Sequence, residues 1–283
     1  LGIDRVIRLP LRDNKMDTDA LASCLATMNH EKRQVMAVVA TVGCSGTGAF
    51  DDIDTIGQLC ETHDVWLHVD GAHGATALLS QAHKHRLKGL ERAQSVTWDL
   101  HKMLLMPLPA SVLLVRDQAD LLHAFYPEAK ADKQYWNLGK YSFMASRRAD
   151  ALKVWVAFQR YGADGLGAIY EYLCHLAQVT CALVRARPDF ELAHEPDCNV
   201  VCFRYIGTPS KRAPDEIAQI NQAIHDRIDH FGESMIARAF IDDLVVLRTT
   251  YMNPFTKEHH VAEILDEIAK VGRDLERESS PSV

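Results

Sequence analysis

Four short apolar runs, most of them closing on a polar residue, limit what this chain can fold into more than any other feature. Gln34–Ala40 (QVMAVVA), Val65–Val69 (VWLHV), Ser95–Trp98 (SVTW) and Ser111–Val115 (SVLLV) have strand length, and their near-continuous apolar character predicts strands buried on both faces. Asp17–His30 and Phe50–Thr62 have helical apolar spacing, the first with Asp17 or Thr18 as its N-cap. Val6–Leu9 is a further strand candidate. Strands alternating with helices predict an α/β fold with a mostly parallel sheet covered on both faces. Ligands bind such sheets beyond the carboxyl ends of the strands. Ser45, Asp70, Asp99, His101 and Lys102 all follow apolar runs, which predicts one site fed by several strand ends.

The second half reads differently. Gln118–Ser146, with its polar FYPEAKADKQYW, predicts a loop or lid. From Arg147 the pattern is helical through DALKVWVAFQRYG and GAIYEYLCHLAQVTCALVRA. Then come FELAHEP, NVVCFRYIG, a helix over Ala213–Phe231, LVVLRTTYM and a helix over His259–Glu276. This predicts two domains, residues 1–145 as part of a larger sheet domain and 146–283 as a smaller α+β domain.

Composition narrows the function classes. With 47% apolar and 24% charged residues over 283 positions, the chain has the make-up of a globular protein. A net charge of −7 leaves no phosphate-tracking basic surface, so no nucleic acid partner is expected. No apolar run nears the roughly 18 residues that span a bilayer, so no membrane partner is expected either. Seven cysteines without paired spacing argue for a reducing, cytoplasmic setting. Cys198 and Cys202 lie four residues apart in one strand, too far to share a zinc, and read as buried thiols. His83–Lys84–His85 reads as a solvated turn, and no metal is expected. Leu1–Pro10 has no secretory features and reads as the middle of a fold, as in an incomplete chain.

Two residues carry most of the chemistry. Asp70, in HVDGAHG, is either a helix N-cap or a carboxylate that holds a pyridine nitrogen protonated, with Gly71 and Ala72 small enough for a flat ring to lie against them. Lys102, in WDLHKMLLMPLP, is either a snorkelling lysine or a desolvated amine able to form an imine. A serine hydrolase is the rival reading. Gly43–Thr47 nearly forms a nucleophile elbow, and Ser45, Asp70 and His101 follow in α/β-hydrolase order, but position 47 is Thr and Lys102 goes unused. A subunit that keeps the fold without catalysis is a third.

The strings ATVGCSGTGAFDDI, WLHVDGAHG, SVTWDLHK and SRRADALKVW together resemble the group II pyridoxal-dependent amino acid decarboxylases, which include the aromatic amino acid, glutamate and diaminobutyrate enzymes. The resemblance implies a fold-type-I transferase-like architecture, pyridoxal 5′-phosphate, a homodimer, and conversion of an L-amino acid to its amine and carbon dioxide. It places Lys102 at the lysine that carries the cofactor as an imine and Asp70 at the partner of its ring nitrogen. Ala72 falls at the small residue against the ring, Ser45 at a hydroxyl touching the cofactor, His101 at the histidine before the lysine, and Ser95 at a polar residue on the strand leading to it. Asp99 stands where the family usually has an Asn that donates to the phosphate, and Leu100 where a Pro is common. A loop Tyr reprotonates the carbanion in the family; Tyr126 and Tyr135 are the candidates, and without one oxidative deamination to an aldehyde becomes the outcome. The His-Lys pair is shared with desulfurase-like enzymes, which leaves desulfurase or aminotransferase chemistry as a further alternative. The family's phosphate-binding turn and ring-stacking residue precede the position of Thr41, and nothing before it supplies them, so these 283 residues alone are expected to bind the cofactor poorly. Arg248 is read as a partner for a substrate carboxylate or as a structural residue, and Arg147 and Arg148 as anchors of the interdomain helix or of a partner subunit.

Overall fold

A computed structural model describes residues 6–125, 141, 147–207, 212–231 and 234–279. Two compact units emerge, one of Leu1–Val42 with Asp51–Leu166, the other of Gly43–Phe50 with Gly167–Val283.

The first unit is built on the four apolar runs. They form β3 (Ala37–Thr41), β4 (Trp66–Asp70), β5 (Ser95–Asp99) and β6 (Ser111–Val115), in that spatial order. β3, β4 and β5 are parallel and β6 closes the row antiparallel to β5. Burial alternates along β3 and β4 instead of running continuously. Val38, Ala40, Leu67 and Val69 point into the core, while the other face carries Val39, His68, Thr97 and Leu113, and Val39 and Leu113 are more than half exposed. The expectation of strands buried on both faces therefore holds for one face only among the described residues.

Helix α1 (Thr18–His30) starts where Asp17 accepts from the amides of Asp19 and Ala20, and it buries Leu21 and Leu25. α2 (Ile53–His63) is capped by Asp52 and buries Ile53, Ile56 and Cys60. Val6–Leu9 is not a strand. The first pairing comes later, in a hairpin of β1 (Leu11–Arg12) and β2 (Lys15–Met16). Its turn places Asp13 and Asn14 at φ of 53° and 63°, the left-handed conformation those two residue types tolerate best. The segment read as a loop from Gln118 opens with a helix, α3 (Gln118–Phe125).

Helix α4 (Ala151–Arg185) passes from one unit to the other. The change of unit falls at Leu166–Gly167, inside this helix, whereas the sequence places it at 145–146. Packing explains the difference: Leu166 joins Leu100, Leu104, Met106 and Ala110 in one buried cluster, with Val154, Ala157 and Phe158 against it. The helix is interrupted at Gly162, whose φ of 66° and ψ of 176° suit a residue without a Cβ.

The second unit is α+β, as expected. Its antiparallel sheet has the order β7 (Phe190–Leu192), β8 (Val200–Tyr205), β10 (Leu244–Thr250), β9 (Ala237–Ile241). α5 (Pro214–Phe231) and α6 (Glu258–Ser279) lay Ile217, Ile224, Val261, Leu265 and Ile268 into its core. Among the described residues no helix is long and apolar enough to cross a membrane.

Candidate active site

The chemistry gathers where β4 and β5 end. The two strands run parallel, with Asp70 opposite Thr97. Past their last residues the chains stay tied, since Gly71 N donates to Thr97 O at 3.0 Å and Asp99 N donates to Ala72 O at 3.2 Å. Only glycine fits at position 71, because a Cβ there would lie 2.8 Å from Ala75 Cβ and 3.0 Å from the Thr97 carbonyl oxygen. Asp70 and Lys102 are thus held at neighbouring strand ends by main-chain bonds.

Asp70 is not a helix N-cap. Its Oδ1 accepts from Ala72 N at 3.1 Å, and the short 3-10 segment Gly74–Leu79 begins at His73 without a side-chain cap. Its other oxygen takes no side chain among the described residues, which leaves a half-buried carboxylate with accepting capacity to spare.

Lys102 follows a tight turn in which its amide donates to Asp99 O at 3.1 Å, flanked by buried Leu100, Met103 and Leu104. The amine itself is not desolvated. The side chain is 36% exposed, and Nζ lies 3.0 Å from Asp99 Oδ2. His101 is fixed through Nδ1, 2.9 Å from Ala110 O, with Ser111 Oγ at 3.4 Å; its Nε2 faces Asp99 Oδ2 at 3.8 Å. Nδ1 is taken up by Ala110, whose carbonyl oxygen lies at 2.9 Å and whose amide lies at 3.3 Å, so Nε2 is the ring nitrogen left for a ligand. Among the described residues Asp70 and His101 do not hydrogen-bond to each other.

Asp99 sits against Lys102, with Oδ2 3.0 Å from Nζ. Burial pushes its pKa up, but the Ser111 hydroxyl, the Lys102 ammonium and His101 outweigh that and hold it below the usual carboxylate range. An ionised carboxylate only accepts hydrogen bonds, so Asp99 cannot donate to a phosphate as an amide can.

Ser95 also stands apart. It opens β5, some four residues and about 13 Å of strand before Asp99. There its hydroxyl joins Trp66 Nε1 at 2.9 Å and His68 Nδ1 at 2.8 Å, and His68 Nε2 reaches Thr97 Oγ1 at 3.3 Å. Ser45 belongs to the second unit, whose strands clasp its turn. Arg248 donates to Ser45 O, and the Cys202 and Cys198 thiols donate to Gly46 O and Gly48 O at 3.4 Å each. Gly48, at φ 75°, could carry no side chain there, because a Cβ would meet Val200 Cβ at 2.8 Å. Of the two readings of Arg248, the structure provides a structural contact. Tyr126 and Tyr135 lie outside the described residues. Sequence reasoning passed over Ser111, which reaches Asp99 only because the antiparallel register sets it opposite.

The pyridoxal-dependent decarboxylase conserved domain matches residues 2–206. The chain belongs to this family. It is 36% identical over 273 residues to an L-2,4-diaminobutyrate decarboxylase of Rhizobium meliloti, covering 93% of this chain and 54% of that protein. It is 33% identical to an acidic amino acid decarboxylase of Xenopus tropicalis, covering 97% and 57%. Among solved structures, mouse CSAD in apo form superposes with a TM-score of 0.85 at 29% identity, covering 93% and 57%. The chain thus spans a little over half the length of these relatives.

The family's cofactor is pyridoxal phosphate, and the residues present fit its ring. Asp70 offers a carboxylate oxygen without a partner among the described residues, Gly71 and Ala72 leave no bulk beside it, and a lysine amine stands at the adjacent strand end.

Proposed function

We propose that this chain supplies the cofactor lysine and the ring-facing carboxylate of an enzyme that converts an L-amino acid to its amine and carbon dioxide. The observation that carries the reading is the tethering of Asp70 and Lys102 at the ends of adjacent parallel strands through the Gly71–Thr97 and Asp99–Ala72 hydrogen bonds. Lys102 would hold pyridoxal phosphate covalently, and Asp70 would keep the pyridine nitrogen protonated by offering its unpartnered oxygen. Ala72 would lie against the ring, and His101 would turn Nε2 toward it. When bound, the cofactor supplies an electron sink for the charge left when carbon dioxide departs. The same reading carries a homodimer in a reducing, cytoplasmic setting. Seven free cysteines support the setting, and an exposed apolar groove lined by Leu108, Leu152 and Val156 supports burial against further protein.

The test uses the full-length protein. Borohydride reduction in the presence of pyridoxal phosphate should leave cofactor mass on the peptide holding Lys102. Carbon dioxide release should then be screened over diamino, acidic and aromatic L-amino acids. Cofactor mass on another lysine, or no release from any of these classes, would reject the proposal.

A further inference from the structure

We infer that Asp99 is a positioning residue for Lys102, the seat on which the lysine amine rests whenever the cofactor does not engage it. The inference deepens the proposed function and rests on Lys102 as the cofactor lysine.

Four observations carry it. The carboxylate and the amine face each other across one turn, with Nζ 3.0 Å from Oδ2. The carboxylate is the fixed partner. Its backbone amide is bound to Ala72 O, its side chain is only 16% exposed, and Ser111 stands opposite it in the strand register. The lysine is the movable partner, more exposed and on a four-carbon stem. Finally, no other acidic side chain pairs with Lys102 among the described residues, and His101 does not displace it from Asp99, because the ring is committed to Ala110 O and Nε2 stays 3.8 Å away.

The consequence is a trade between placement and reactivity. An amine held at hydrogen-bond distance by a carboxylate must leave that contact before it can attack an aldehyde. The seat therefore aims the amine at the end of β5, beside the Gly71–Ala72 segment, and slows its chemistry until a ligand draws it away.

Cofactor-free full-length protein tests this with two probes. Trinitrobenzenesulfonate labelling of Lys102 at pH 8, read by peptide mass, is normalised to Lys88, which has its own partner in Asp54 at 2.7 Å. Lys88, already 78% exposed, corrects for reagent and protein concentration, and recovery of the ratio in Asp99→Glu excludes misfolding as the cause of a rise. Asp99→Asn should raise the ratio about fivefold, the size of a partly exposed ion pair, and Asp99→Glu should bring it back to within about twofold of wild type. The second probe compares capture of pyridoxal with capture of pyridoxal phosphate. Asp99→Asn should accelerate both by a similar factor. An unchanged labelling ratio, a failure of Asp99→Glu to restore it, or acceleration confined to the phosphorylated aldehyde would overturn the inference. The labelling arm needs no cofactor, so it stands or falls separately from the assignment of the cofactor lysine.

Discussion

The two sheets of this molecule treat polar groups in opposite ways. In the second unit the buried amides of Asn221 and Asn199 are spent on main-chain partners. Asn221, fully buried on α5, donates to Tyr205 O and Ile217 O and accepts from Tyr205 N, which pins the helix to β8. Asn199 donates to Tyr251 O, whose hydroxyl in turn meets Thr180 at 2.6 Å. At the ends of the parallel strands in the first unit, polar groups are tethered but keep capacity in reserve. Asp70 spends one oxygen on Ala72 N and keeps the other, His101 keeps Nε2, and Lys102 keeps a partly solvated amine. A fully satisfied polar group fixes structure, while a tethered one with spare capacity can meet a ligand. The contrast holds between those buried amides and the three strand-end residues.

Substitutions can break this contrast from either side. The largest effect belongs to Lys102→Ala in the full-length protein, which should remove covalent capture of pyridoxal phosphate and leave carbon dioxide release at background while the thermal midpoint hardly moves. Asp70→Ala should still capture the cofactor but lose about 10²- to 10³-fold in turnover, measured as carbon dioxide release at saturating substrate. Near-normal turnover would place Asp70 with the framework residues instead. On the other side, Asn221→Ala should leave the site chemistry intact and cost about 3 kcal/mol in denaturant unfolding, since it strands the amide and carbonyl of Tyr205 in the core. A cost below about 1 kcal/mol would mean that the second sheet is not held by its buried amides.

How much of this was legible in the residues depended on whether the information was local. The four strands and their order along the chain followed from apolar runs, and Asp70 and Lys102 stood out because each follows such a run. Asp13–Asn14 and Asp242–Asp243 carry hairpins, the second between β9 and β10, with all four residues at positive φ. Both turns were passed over because at least one strand beside each lacks a continuous apolar run; β1 and β2 have two residues each, and β9 alternates. Ser95 and Ser111 were misjudged or missed for another reason. What a strand residue touches depends on the register with its neighbours, and sequence periodicity sets the face but not the partner. The unit boundary escaped notice because a helix carries no mark of where its packing partners change. Leu166 is separated by more than fifty residues from the cluster it joins.

The smallest predicted effect sharpens the contrast at Asp99, which belongs partly to each class. Its pKa lies below the usual carboxylate range, with burial opposing the shift and Ser111 and Lys102 producing it. A carboxylate whose pKa is depressed by folding adds stability above its unfolded pKa, near 3.9, and loses that contribution as pH falls through the lower folded value. Asp99→Asn should therefore be slightly less stable than wild type at pH 7, by less than about 1 kcal/mol for a pair this exposed, and the gap should close as the pH is taken below the unfolded value. Urea midpoints of the two proteins at pH 7 and pH 3 measure the difference directly. A gap independent of pH would mean that the carboxylate matters through its shape and its contact with Ser111, as a framework residue does, and that its charge opposite Lys102 adds nothing to the fold.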